Sequence, residues 1–168
     1  MDRNVAYWFA VHTRSRHEKQ VDSFLKEKRI DSFLPLIKTP SRRKDRVKFV
    51  DIPLFKGYLF VKIPLCNVCE VINTRGVVRI IGTDRFTPIP IPEKQVNDIK
   101  LLVNSNIKLD PYKYLATGTR IRVTSGPLVG IEGILLEKKA NYRVVVSIDL
   151  LQRSASAEVC IADIEPIN

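Results

Sequence analysis

Two short runs constrain this chain more than anything else in it: YWFAVH at residues 7–12 and YLFVKI at 58–63. Each is apolar on both of the faces that a period of two creates, and each is rich in ring-bearing and β-branched side chains. Such short runs read as inner strands of a sheet, one face covered by helices and the other by a further helix, the barrel or another protein. Covering the sheet takes helices, and the intervening sequence supplies them. Val21, Phe24 and Leu25 predict an amphipathic helix running to about Arg29. Its start fits a capping box, with Ser15 serving the free N–H groups and Glu18 reaching back. Arg16, Gln20 and Ser23 share a flank away from the apolar stripe, and His17 sits above its edge.

SFLPLI (32–37) reads as a further strand, with Pro35 at an edge or a bulge. Cys66–Asn73 forms a short helix, Val77–Ile81 a strand, and Glu93–Val103 a helix begun after Pro92. This is an α+β sheet layered by helices over residues 1–104. Residues 105–116 lose periodicity and read as a linker. Beyond it, Gly118, Gly126, Gly130 and Gly133 punctuate short alternating runs, the pattern of a small β-barrel over 117–168. Val144, Val145, Val146 and Ile148 favour strands over any helical form of that module.

Charge is confined to one end. The formal net charge is +10, and residues 1–62 hold 15 Lys/Arg against 7 Asp/Glu. A one-ended surplus makes a directional field suited to a polyanion. Its densest part, Lys38–Lys48, includes Arg42, Arg43 and Lys44 and reads as an exposed hairpin tip, either simply solvated or facing nucleic acid. Arg14, Arg16 and Lys19 cluster around the first helix start, where His17 and Gln20 add groups able to stack on or bond to bases, and Arg75 follows the short helix. On the apolar side, Phe9, Phe55, Tyr58 and Phe60 make either a fully buried core or an aromatic patch for a partner helix.

Several classes are disfavoured. No apolar run reaches the roughly 18 residues that span a bilayer, and MDRNVAYWF lacks a signal-peptide layout. The expectation is a cytoplasmic, monomeric protein without membrane contact. Cys66-Asn67-Val68-Cys69 is a lone C-x-x-C without the second pair a zinc site needs; it reads as two half-buried residues on a short helix, with a thiol oxidoreductase, which needs the first thiol exposed at a helix start, as the rival. No nucleophile elbow, phosphate loop or H-E-x-x-H occurs. Neither an enzyme nor a cofactor or metal protein is expected.

YWFAVHTRSRHEKQV, FLPL, PLFKGYLFV and INTRGVVRIIG resemble the N-terminal domain of the NusG transcription elongation factors. RVTSGPLVGIEGILL and RVVVSIDLLQRSASAEV resemble the KOW barrel that follows it. The resemblance implies an antiparallel N-terminal sheet and a non-enzymatic factor that docks on the clamp helices of the largest RNA polymerase subunits. That role falls on Phe9, Pro53, Leu54, Phe55, Tyr58 and Phe60. The chain resembles the specialised RfaH-like and LoaP-like antiterminators, which contact the non-template DNA strand or a nascent RNA hairpin and suppress pausing and termination, more than the housekeeping factor; a regulator of leader RNA and a housekeeping NusG-type factor are the alternatives. Matching positions are Arg14, Ser15, Arg16, His17, Gln20, Thr74 and Arg75, and the basic cluster Arg42, Arg43 and Lys44 would suit RNA. The barrel would meet a small-subunit ribosomal protein, although Leu150 and Leu151 stand where the family's aromatic for Rho or ribosomal contact is expected.

Overall fold

Contacts divide the chain after Pro92, into Met1–Pro92 and Glu93–Asn168. The computed structural model describes residues 2–43, 46–84, 87–105, 107–113, 118–138 and 141–167. In chain order the first unit runs β1 (Tyr7–Thr13), α1 (Glu18–Glu27), β2 (Asp31–Phe33), β3 (Leu36–Arg43), β4 (Arg46–Pro53), β5 (Tyr58–Ile63), α2 (Val68–Ile72) and β6 (Val77–Ile80).

The two doubly apolar runs are the central strands of an antiparallel sheet ordered β2-β5-β1-β6. Pairing of Phe9 with Val61 and of Val11 with Leu59 puts these side chains on one face. There they pack with Val21 and Leu25 of α1 and Val68 and Val71 of α2. Burying each such side chain stabilises the fold by roughly 1.5–3 kcal/mol. The alternate residues Ala10 and Phe60 pair on the opposite face and are buried as well. Both faces are therefore covered at these positions.

Helix α1 ends in a Schellman motif. Arg29 takes a left-handed φ of 59°, its N–H donates to the Lys26 carbonyl, and the Ile30 N–H donates to that of Leu25. Leu25 and Ile30 are both buried, supplying the apolar contact that accompanies this cap.

The start of α1 differs from expectation. The helix begins at Glu18 with His17 in the capping position and no side-chain cap. Ser15 lies too early, because Arg16 adopts φ 62° and folds the chain back before the helix starts. The Glu18 carboxylate instead accepts the Gly57 N–H at 2.8 Å, tying α1 to the turn before β5. The predicted strand over 32–37 is also corrected. Pro35 carries no N–H for a ladder, and the segment breaks there into β2 and β3. The Leu54 N–H donates to the Pro35 carbonyl, closing the base of a separate β3–β4 hairpin.

The second unit runs α3 (Glu93–Asn104), β7 (Leu109–Lys113), β8 (Arg120–Val123), β9 (Glu132–Lys138), β10 (Asn141–Ile148), β11 (Arg153–Val159) and β12 (Ile164–Pro166). Its sheet is antiparallel throughout, ordered β12-β8-β9-β10-β11-β7. Val144, Val145, Val146 and Ile148 are buried strand residues, as their branching predicts. The expected linker contains β7, which pairs with β11 from Leu109↔Ala157 to Lys113↔Arg153. Pro111 is tolerated because β7 is the last strand in the order. Helix α3 packs on β10 within this unit.

Candidate nucleic-acid and partner interface

The β1–α1 connection and the turn after α2 meet at one end of the first sheet. The Arg14 N–H donates to the Gly76 carbonyl at 2.8 Å, which brings Arg14 beside Arg75. Gly76 has φ 94°, and a Cβ there would stand 2.8 Å from Val21 and 3.4 Å from His17. His17 is thus half-buried against Gly76, and its Nδ1–H donates to the Ser15 carbonyl at 2.9 Å. Arg14, Ser15, Arg16, Lys19, Gln20 and Arg75 are exposed. Among the described residues, none of Arg14, Arg16, Lys19, Lys56 and Arg75 is ion-paired with a carboxylate.

A cleft of about 770 Å³ opens beside this cluster. His12, Arg16 and Lys19 line it together with Pro53 and Lys56. The Glu18 carboxylate also lines it but is engaged by Gly57. Lys56 escaped the sequence reading because it is a single cation inside the greasy PLFKGY run. Its signal is the Lys-Gly pair, where a glycine with φ 81° makes the turn and leaves its neighbour outside. Behind the cleft, Tyr58 lies opposite His12 across the β1–β5 ladder, with ring centroids 5.1 Å apart.

Thr74 does not belong to the exposed set. It is 4% exposed, its hydroxyl donates to the Glu70 carbonyl at 3.0 Å, and it accepts from the Lys28 ammonium at 2.9 Å. With both hydrogen-bonding roles used inside the fold, its side chain is withdrawn from solvent. Lys44 lies outside the described residues, and Arg42 and Arg43 sit at the far end of β3, where Arg43 pairs with Arg46. An eight-residue strand spans about 25 Å, so this basic end is well removed from the hairpin base at Leu36 and Pro53.

The apolar set needs larger correction. Phe9 faces the α1 side of the sheet, in the main core. Strand alternation forbids it from sharing a surface with Phe60. Phe60 is 0% and Phe55 2% exposed, meeting edge to face at 6.2 Å, with Phe33 stacked on Phe60 at 6.0 Å. Leu54 is buried too. Tyr58 and Pro53 alone of the six are half-exposed. Among the described residues these positions form no broad uncovered aromatic socket, and Tyr58 and Pro53 alone of them reach the surface.

In the second unit Arg122, Arg143 and Lys94 are held. Arg122 lies 2.8 Å from Glu132 and 3.8 Å from Glu165, and Arg143 is 3.5 Å from Glu158. Lys94 of α3 reaches Asp98, Glu132 and the Gly130 carbonyl. Gln95 clamps Asp149, donating to its carboxylate at 2.6 Å and accepting its N–H at 3.3 Å. Burial raises the Asp98 carboxyl above the usual carboxylate range, against the opposing pull of Lys94. A hydrogen bond from Arg122 lowers that of Glu132. Leu150 and Leu151 are half-buried in the short 3-10 turn Asp149–Leu151.

Residues 6–100 match the family model described as NusG, transcription termination factor nusG. The chain belongs to the NusG family. Among named relatives, the transcription termination/antitermination protein NusG of Helicobacter pylori (strain J99) is 22% identical over 173 residues, covering 95% of this chain and 98% of that one. The Deinococcus radiodurans protein of the same name is 27% identical, covering 84% and 90%. A solved structure of Thermotoga maritima NusG shares the fold, with a TM-score of 0.57 at 20% identity over 97% of this chain and 98% of that one. This NusG-family member is accordingly a transcription termination/antitermination factor and not an enzyme. No helix among the described residues is long and apolar enough to cross a membrane.

Proposed function

We propose that this protein rides on elongating RNA polymerase as an operon-specific member of the family, suppressing pausing and termination. The supporting observation is the cleft that Pro53 and Lys56 line together with Arg16 and Lys19, beside Arg14 and Arg75. A partner-docking edge and unpaired cations share one end of the sheet. Docking falls to Tyr58 and Pro53, the half-exposed members of the family's polymerase-contact positions, with Phe55 and Phe60 as a packed floor beneath them. The clamp helices are the partner this edge would take. Arg14, Arg16, Lys19, Lys56 and Arg75 would then run along the phosphates of the non-template strand or the nascent RNA.

The specialised reading draws support from the barrel, where Leu150 and Leu151 replace the aromatic of the family's Rho- and ribosome-contacting loop. A small-subunit ribosomal protein remains the barrel partner to assay. A second reading, a regulator whose main target is a leader RNA hairpin, is favoured by the β3–β4 ribbon. That ribbon carries the basic run and presents Phe49 at 63% exposure, a ring free to stack on a base.

In vitro transcription of a paused template, with and without the protein, tests the proposal. Faster escape is expected, lost in Tyr58→Ala together with polymerase capture while the circular dichroism spectrum is kept. Unchanged pausing, or capture indifferent to Tyr58→Ala, overturns it. Tight binding to an RNA hairpin without polymerase favours the second reading.

A further inference from the structure

The Cys-x-x-Cys motif plays no part in the function proposed above. Its cysteines, expected to be half-buried, are both exposed. Cys66 lies in the 3-10 turn Leu65–Asn67, and Cys69 in the first turn of α2. The backbone between them stays helical, with Asn67 at φ −93°, ψ 3° and Val68 at φ −54°, ψ −43°. The Asn67 N–H donates to the Pro64 carbonyl at 3.0 Å and the Val68 N–H to that of Leu65, both three residues back.

Helical winding matters here, because side chains three apart eclipse in a 3-10 turn and stay on one side of the backbone in the α-helix that follows. Helical winding sets Cα atoms three apart at about 5–6 Å, within the roughly 4.4–6.8 Å a disulfide requires. The opposite side of the turn is anchored, since Val68 and Val71 are buried in the core. Among the described residues, no group of three or more His, Cys, Asp or Glu gathers to hold a metal, so the pair is not part of a closed zinc site.

The geometry points to a redox-active dithiol: Cys66 and Cys69 close a disulfide within one helical turn by exchange with a low-molecular-weight disulfide. The thiolate of one cysteine attacks a sulfur of the oxidant, whose S–S bond breaks, and half of it leaves as thiolate. The second cysteine gives its proton to solvent and attacks the protein-side sulfur of the mixed disulfide, releasing the other half. The protein loses two electrons and two protons, and the oxidant becomes two thiols. Cys160, with no cysteine a turn away, serves as an internal control.

The test treats the reduced full chain with oxidised glutathione and follows intact mass, peptide mass and free thiols. The expected product has lost about 2 Da from the peptide holding both cysteines. Cys66→Ser and Cys69→Ser should each convert that loss into a lasting glutathione adduct on the remaining cysteine. Adducts on both cysteines without the internal bond, or no reaction at either, overturns the proposal. A trivalent phenylarsenical, which bridges two thiols, gives a second measure. It should bind the reduced wild type at least about tenfold more tightly than either single variant, by the advantage of a second tethered ligand. Equal binding to all three likewise overturns the assignment.

Discussion

Arg14, Arg16, Lys19 and Arg75 at the end of the first sheet and Lys94, Arg122 and Arg143 in the second unit are the same residue types used in opposite ways. The first group has no carboxylate partner among the described residues, whereas each of the second is held by at least one. Supply explains part of the difference, since acidic residues are outnumbered 15 to 7 in the first 62 positions. Supply is not the whole reason. On the outer face of α1, Lys26 reaches Asp22 at 2.7 Å, so pairing occurs in this unit too where helical spacing offers an acid. Arg14, Arg16 and Arg75, near Gly76, sit on loops that present no such acid. Paired cations fasten α3 and neighbouring strands together, whereas unpaired ones keep their field for a polyanion.

The largest effect should come from destroying the frame of the unpaired cluster. Gly76→Val places a branched side chain at φ 94° and into Val21, and should cost about 2–4 kcal/mol in chemical denaturation. Nucleic-acid affinity should fall with it, because the Arg14 anchor is the Gly76 carbonyl. Next in size, Arg14→Ala, Arg16→Ala and Arg75→Ala together should weaken single-strand binding by about tenfold or more and flatten the log–log salt slope by about 0.7 per lost phosphate contact. The melting temperature should barely move, and a marked drop would mean these side chains hold the fold.

Glu132→Gln should do the reverse. It removes the shared partner of Arg122 and Lys94, lowering stability only slightly for so accessible a pair while leaving single-strand affinity unchanged. The smallest effect concerns acid. The raised Asp98 carboxyl contributes stability present below its ordinary value of 3.8 and lost as pH rises through its folded value. The lowered Glu132 carboxyl contributes stability present above 4.5 and lost as pH falls through its folded value. The two oppose each other, so Asp98→Asn should make urea stability fall more steeply on acidification than in the wild type. A parallel pH profile would show that Asp98 does not titrate in the folded protein as its burial implies.

Much of the fold was legible in the chain. The inner strands, the α1 stripe and the β character of the last 50 or so residues all rest on periods of two or 3.6, which any sheet or helix must obey. Phe9 was not legible, because the β1–β5 register that sets Ala10 against Phe60 and leaves Phe9 on the other face joins strands far apart in the chain. Thr74 and Ser15 were not legible in this way. Thr74 is taken by Lys28, 46 residues earlier, and Glu18 by Gly57, 39 residues later.

What the amino-acid order settled by itself is local and additive: where strands and helices form, where charge accumulates, and the resemblance that identified the family. Only tertiary structure decided which cations stay unpaired, which rings are sealed and which hydroxyl is spent, because each depends on groups meeting across tens of residues. A short-range pattern constrains a residue's face. Its partner is a property of the folded whole, since desolvation and hydrogen bonding act only at contact distance.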